Sequence, residues 1–512
     1  MKLYICINLK FLYTKILALL LLFLNICFIQ SFTQQTRKIN HDADNMEYDR
    51  NLADGAYRLL GNVVFRHEQA IMYCDSAYFY SNDNSLDAFD NVYINQADSL
   101  HLYGDFLHYD GNTRVANVRR NVRLISEETN LNTEALDFDL KSNVGYYTRS
   151  ANIVSGQNKL NSREGYYYSK STMYFFKDSV VIINPDYTIY SDTLKYNTTT
   201  NIAYFLGPTE IISDSNYIYC ENGWYNTETD VSLLKDNARL QNPKQTISGD
   251  SLYYERANGY GEAYQNVELL DTEQKIILKG NFATYNEITE DALITNKAVL
   301  IQITEPDSLY VHADTLTSEI DTSGHKIVKA FNRVKMYKSN LQGKCDSMSY
   351  TFADSVIRLY YEPVLWSEEH QLTSEYIEIR TKNRQIDQLH MIRLAFIISQ
   401  EDTIKFNQVK GKEMICYFRD NDLYKVDVKG NGQTLYYPKD GNEIIGVNKA
   451  ESSDLVIYLE ENEIKEIIFY TKPDATLYPL EKAPQNELRL KDFLWLDRYR
   501  PYKKEDIFTW ID

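Results

Sequence analysis

The chain has 512 residues, with 54 Lys and Arg against 72 Asp and Glu, for a formal net charge of −18. That length exceeds what one compact core supports, so several domains or a repeat array are expected. The acidic balance, with no basic run beyond the N-terminal segment, excludes nucleic acid as a partner. Forty-three Tyr beside many Val, Ile and Thr, with only 10 Pro and 20 Gly, describe an ordered, strand-rich chain.

At the N-terminus Lys2, Lys10 and Lys15 precede the apolar stretch ILALLLLFLNICFI, after which the chain turns polar. This is the layout of a signal peptide over residues 1–33. The run is short for a membrane span, and an uncleaved N-terminal anchor is the alternative. Cys27 follows LNI, without the small residue expected ahead of a lipidated cysteine. Residues 34–54 read as a linker. No later stretch has the composition of a transmembrane helix, which leaves an exported protein peripheral to membranes or an outer-membrane β-barrel.

From residue 55 one phrase keeps returning: CDSAYFY at Cys74, GDFLHYD at Gly104, SDTLKYN at Ser191, GDSLYYE at Gly249, ADTLTSE at Ala313 and CDSMSYT at Cys345. Its acid recurs at Asp75, Asp105, Glu134, Glu164, Asp192, Glu221, Asp250, Asp314, Asp346 and Glu375, with Asn281 in one copy, at spacings of 28 to 33 residues. A second phrase keeps the same period: NVVF at Asn62, NVYI at Asn91, NVRL at Asn121, NARL at Asn237 and NVEL at Asn266. Two phrases locked to one period are a repeat. Asn, Asp, Gly and Thr clusters between them supply turns. Each repeat therefore predicts two antiparallel strands of about 12 residues joined by hairpins.

Counting every second residue from the acid selects Leu107 and Tyr109, Leu136 and Phe138, Leu194 and Tyr196, Leu252 and Tyr254, Met348 and Tyr350. The opposite parity, such as Gly249, Ser251 and Tyr253, is smaller and more polar and is expected to face water. The acid has no partnered His, Lys or second carboxylate at fixed spacing, and eleven equivalent copies are not how a catalytic group is deployed. No catalytic residue and no enzyme activity are expected. Cys74, Cys220 and Cys345 occupy the position that other repeats fill with Gly, Ser or Ala, which reads as a tight small-residue site and not a disulfide framework. No CxxC, HExxH or histidine cluster points to a metal or cofactor, and none is expected.

With its GD.L.Y and NV.L phrases alternating at about 29 residues behind a signal-peptide layout, the chain resembles the OstA-like, or LptA-like, family of periplasmic lipopolysaccharide-transport proteins. The resemblance covers about residues 55–400 and continues more weakly to about 470. It implies an all-β fold, a long V-shaped antiparallel β-jellyroll, with repeats over 55–400 and a degenerate continuation over 401–480. It also implies a non-enzymatic periplasmic carrier that shelters lipopolysaccharide or a similar lipid in an apolar groove, and that joins other transport components by edge-strand pairing. The ten apolar residues above would line that groove. At about 4.8 Å per strand, some 22 strands would extend about 105 Å.

Residues 481–512 lack the repeat and read as a cap over the last strand edge or a docking tail, with Trp495, Arg498 and Arg500 as candidates for partner contact. Two other classes remain open on the residues alone: an exported structural or adhesive β-repeat protein, and an outer-membrane β-barrel.

Overall fold

The computed structural model describes residues 38–511 apart from 49–55, 97–99, 127–128, 306, 383–384, 420–421, 442 and 461–462. The expected signal segment, residues 1–33, lies outside the described residues. The chain divides into two compact units, Met1–Thr172 and Met173–Asp512. The division falls at a short 3₁₀ turn, Ser169–Ser171, whose following residue Thr172 is left-handed at φ 50°.

Each unit is an antiparallel β array, a long jellyroll of consecutive hairpins. In the first unit Tyr57–His67, Ala70–Tyr80, Ser85–Gln96, Leu100–Asp110, Val115–Ser126 and Thr129–Asp139 pair in chain order. In the second unit Val231–Gln241, Gln245–Glu255, Tyr260–Asp271, Ile276–Asn286 and Asp291–Gln302 do the same. Where the chain carries a proline the pattern adapts. Pro208 falls in the register shift between Leu206 and Thr209, and Pro363 separates Val356–Tyr360 from Val364–Ser367, because a residue without an N–H cannot serve a central ladder.

Nearly every long strand is bent in its middle. The pairing of Leu100–Asp110 with Val115–Ser126 jumps between Tyr103 and Phe106 and, on the partner, between Arg119 and Arg123. The same jump recurs from hairpin to hairpin. On alternate strands two successive residues are left-handed at the bend: Asp90 and Asn91 at φ 62° and 48°, Arg120 and Asn121 at 64° and 50°, Gln265 and Asn266 at 56° and 50°. Asn bears such angles at lower cost than β-branched residues, which explains the recurring Asn. The bend turns each strand from one wall into a second wall that faces it.

This bend corrects the parity expected from the sequence. In Leu100–Asp110 the buried residues are Leu100, Leu102 and Gly104 before the acid and Leu107 and Tyr109 after it, while Asp105 and Phe106 both point outward. Two consecutive outward residues flip the alternation. Gly249, expected to face water, is buried together with Ile247. The core therefore draws on both halves of the long bent strands, where simple alternation assigned one half.

Two other expectations change. Within the supposed linker, Asn40–Asp42 and Asn45–Tyr48 are short strands that pair with the two halves of Tyr57–His67. At the other end the β array runs on through Asp474–Tyr478, and the segment after it, whose Glu487 lies 3.5 Å from the Tyr478 hydroxyl, continues past that strand. It crosses the outer surface of the second unit's wall through short 3₁₀ turns. Three buried glutamines hold it, two by its backbone and one by a side chain: Gln408 receives the Leu490 N–H at 2.8 Å, Gln371 donates to Leu494 O at 2.7 Å, and Gln342 accepts from Arg500 Nε at 2.8 Å. The cause is apolar burial, since Leu490 joins Phe396, Phe406, Leu435, Tyr437 and Val447 in one cluster with Trp495 packed against it.

Candidate functional site

The corner is built from the two repeated phrases. Asn121 Nδ2 donates to Asp105 Oδ2 at 2.6 Å, Asn91 to Asp75 at 2.7 Å, Asn237 to Glu221 at 2.8 Å and Asn266 to Asp250 at 3.0 Å, each across 16 residues. In two later copies arginine replaces the amide, with Arg333 Nη2 2.8 Å from Asp314 and Arg393 Nε 2.7 Å from Glu375. The acid thus lies on the outer side of the bend and fastens it. Inside the bend only a small side chain fits. A Cβ on Gly104 would stand 2.4 Å from Val118 Cγ1, and one on Gly411 would stand 2.4 Å from Val428 Cγ1. Cys74, Cys220 and Cys345 occupy the same place, free and buried. Burial, the largest influence on each, raises the Cys74 and Cys220 thiols to about 12, so they stay protonated and unreactive at neutral pH.

Between the walls lies the apolar interior, the candidate site. Leu107, Tyr109, Leu136, Phe138, Leu194, Leu252, Tyr254, Met348 and Tyr350 are all buried, at 0 to 7 % exposure. Tyr196 is half-buried, its hydroxyl 3.3 Å from Asn201 Oδ1. The facing wall contributes residues that the sequence reading passed over: Leu102, Leu124, Leu131, Ile189, Ile247 and Leu278, at 0 to 8 %. The signal for Leu102, Ile189, Ile247 and Leu278 was present, an apolar residue two positions before the Gly or Ser of the phrase, but the flip at the acid hid it.

Opposite the corner the two walls meet again at their margins, and there the joints are side chains. In the first unit His67 Nδ1 lies 2.7 Å from the Tyr109 hydroxyl, Arg114 Nη2 2.7 Å from Glu68, Gln96 Nε2 donates to Leu140 O at 3.1 Å, and Tyr167 donates to Ser126 Oγ at 2.8 Å. In the second unit the Tyr285 hydroxyl donates to Gln245 Oε1 at 2.6 Å, Lys326 Nζ is 2.5 Å from Asp271, and Lys244 Nζ is 3.8 Å from Glu290. The Asp271–Lys326 pair is buried, with side chains 4 % and 7 % exposed. Burial is the strongest single influence on Asp271 and favours its neutral form. The Gln274 N–H and the Lys326 ammonium together outweigh it and hold the carboxyl below its ordinary pKa.

The proposed docking residues divide. Trp495 packs on the Phe406 ring at 5.1 Å and Arg500 is held by Gln342, so both serve the tail's attachment to its own wall. Arg498 lies over the Tyr499 ring at 4.5 Å and is exposed. Among the described residues no group of three or more His, Cys, Asp or Glu is placed to hold a metal ion, and no helix is long and apolar enough to cross a membrane.

Bent antiparallel strands in two facing walls, with an apolar layer between them and a repeated corner, define a β-jellyroll repeat protein. The chain belongs to the OstA-like family: the profile of the OstA-like protein family matches residues 35–192, 188–250 and 218–306, together more than half of the chain. No curated protein matches it. The family is one of transport and binding proteins, with a β-structure tied to lipid and lipopolysaccharide transport.

Proposed function

We propose that this protein is a non-enzymatic periplasmic carrier whose interior takes up the acyl chains of lipopolysaccharide, or of a similar lipid, on its way to the outer membrane. The observation that carries this reading is the apolar layer between the walls, drawn from the same two positions of each repeat, in a chain of the OstA-like family. A sheltered chain gains about 0.8 kcal/mol per methylene, so a dozen carbons gain on the order of 10 kcal/mol before ordering costs. Apolar contact is then sufficient for affinity despite a net charge of −18, provided the lipid's sugars and phosphates stay hydrated. Many equivalent rungs, none stronger than its neighbours, would let a lipid slide along the array.

Open strand edges support assembly with other transport components. Among the described residues, Asn40–Asp42 and Asn45–Tyr48 pair only with Tyr57–His67, while Glu463–Tyr470 and Asp474–Tyr478 pair only with Val447–Glu460. Their outer sides offer unpaired N–H and C=O groups to an added strand.

The experiment is to purify the protein from the soluble fraction of cells, incubate it with lipopolysaccharide, and analyse the complex by native mass spectrometry. A bound multi-acyl lipid is expected. A lipid-free protein at every concentration would refute the carrier reading. The packed interior, with its residues at 0 to 7 % exposure, favours one rival, an exported structural β-repeat protein with a dry core, and that rival predicts the lipid-free result.

A further inference from the structure

The segment after Tyr478 rests on the second unit's outer wall as a peptide rests on a receptor. Among the described residues, every backbone-to-backbone hydrogen bond of residues 479–511 stays inside the segment, so no ladder ties it to the sheet. Side chains hold it instead. Gln408 donates to Leu488 O at 3.1 Å and accepts the Leu490 N–H at 2.8 Å. Gln371 donates to Leu494 O and accepts the Leu496 N–H, both at 2.7 Å. A primary amide that engages the C=O of one residue and the N–H of the second after it reads extended backbone without reading its side chains. Apolar sockets add selectivity, with Leu490 in the cluster of Phe396, Phe406 and Val447, and Phe493 and Trp495 against the Phe406 ring. An empty track would leave two amides, 0 % and 1 % exposed here, without partners and an apolar cluster open to water, so the wall demands a peptide. None of these bonds requires that peptide to belong to the same copy.

The connection favours release. Pro479–Lys482 is exposed throughout, and prolines at 479 and 484 stiffen it at both ends. It leaves directly from Asp474–Tyr478, one of the open edge strands, and Gln408 lies three strands in, by way of Val447–Glu460 and Asp422–Tyr436. Were a second copy to lay its own Asp474–Tyr478 along this one, its Gln408 would stand four strand spacings away, roughly 19 Å. The ten residues from Tyr478 to Leu488 span up to about 35 Å, enough for either wall.

We propose that this track is a binding site for an extended apolar and aromatic peptide, and that a second copy of this chain supplies it: two copies meeting at Asp474–Tyr478 exchange residues 483–511, each tail lying on the other's wall. The exchange is reciprocal and two-fold, one tail given and one received. Every bond re-forms in kind, so proximity decides. In a lone copy the tether holds the chain's own tail at an effective concentration of about 1 mM, and that tail wins. In a pair both tails reach both tracks. The lipid reading is not needed for this inference and does not share its fate.

The test uses the full chain with Cys6→Ser and Cys27→Ser, since Cys74, Cys220, Cys345 and Cys416 are buried. Lys410 Nζ on the wall lies 2.7 Å from Asp492 Oδ2 on the tail, at the rim of the track, so cysteines at the two positions report which tail is docked where. One preparation carries Lys410→Cys and another, of different mass, Asp492→Cys; an unchanged circular-dichroism melt verifies each fold. The two are mixed at about 1 mM, the range of the tether, and oxidised with diamide. A disulfide-linked pair with one chain of each mass is expected on non-reducing gels, at least tenfold above the same mixture with Leu490→Glu added to the Asp492→Cys chain. Both substitutions in one dilute chain should instead close within that chain. Internal closure with no linked pair above the Leu490→Glu level would make the tail a permanent part of its own wall and overturn the exchange. A linked pair indifferent to Leu490→Glu would be collision and would overturn it equally. No internal closure in the doubly substituted chain would remove the docked tail, and the proposal with it.

Discussion

Corner and margin, the two ends at which the facing walls join, are built on opposite principles. At the corner the same contact recurs, an Asp or Glu holding an Asn across 16 residues on the outer side of a two-residue left-handed kink. At the margin almost every rung differs: His with Tyr, Arg with Glu, Gln with a carbonyl, Tyr with Ser, Lys with Asp. A repeated contact signals a geometric requirement common to every rung, here the bend. A varied contact signals that only closure is required, by whatever polar pair the local turns supply, which leaves the margin free to differ in strength along the array.

The comparison can be broken or sharpened by substitution, and the largest effect should come from the layer the two ends enclose. Phe138→Ala removes a fully buried ring and should cost about 3–5 kcal/mol in chemical denaturation. A loss below 1 kcal/mol would mean that the walls do not pack on each other there.

Acid should act on the margin side of the second unit through His370. Burial pushes this imidazole down from 6.5 to about 4, and its Nδ1 lies 2.5 Å from Ser399 Oγ. The folded state therefore holds the neutral ring while the unfolded chain takes up a proton below about pH 6.5. Stability conferred at neutral pH should fall between about pH 6.5 and 4 by up to about 3 kcal/mol, and no further below. His370→Gln should flatten that part of the pH–stability curve. An unchanged slope would place the titration elsewhere.

At the corner, Gly104→Val should cost about 1–3 kcal/mol, because its side chain would collide with Val118 inside the bend. The outer latch is exposed and should matter least. Asn121→Ala is expected to lose about 1 kcal/mol, from one hydrogen bond and a left-handed φ of 50° that Ala resists. Asn121→Gly should lose less than Asn121→Ala, since it removes the bond but relieves the angle. The reverse order would show that the left-handed angle is not what Asn121 relieves, since both substitutions remove the same bond.

What the sequence disclosed follows the same division. The period, the antiparallel hairpins, the burial of Leu107 and Phe138 and the small residue at Cys74 or Gly104 were legible because every repeat restates them. The acid's partner was legible as a phrase but not as a contact, since nothing in NVRL says that Asn121 folds back onto Asp105. The second half of the core was lost to one physical detail, two outward residues in succession at the bend, which reverses the alternation for Leu102 and Gly104. The margin was illegible. Its pairs lie 40 to 55 residues apart in chemically unlike combinations, such as Gln245 with Tyr285 and Asp271 with Lys326. The tail misled because Trp495 and Arg500 carry the composition of a docking site and spend it on Phe406 and Gln342 of their own wall.

The central claim is that the interior, and not the outer surface, carries lipid. Leu194 and Lys195 test it most directly, being consecutive residues of one strand, the first fully buried between the walls and the second exposed outside over the Phe175 ring. A photocrosslinking amino acid placed at each in living cells should trap lipopolysaccharide from position 194 and none from position 195. A folded, exported protein that traps it from neither position, or from 195 alone, would contradict the account.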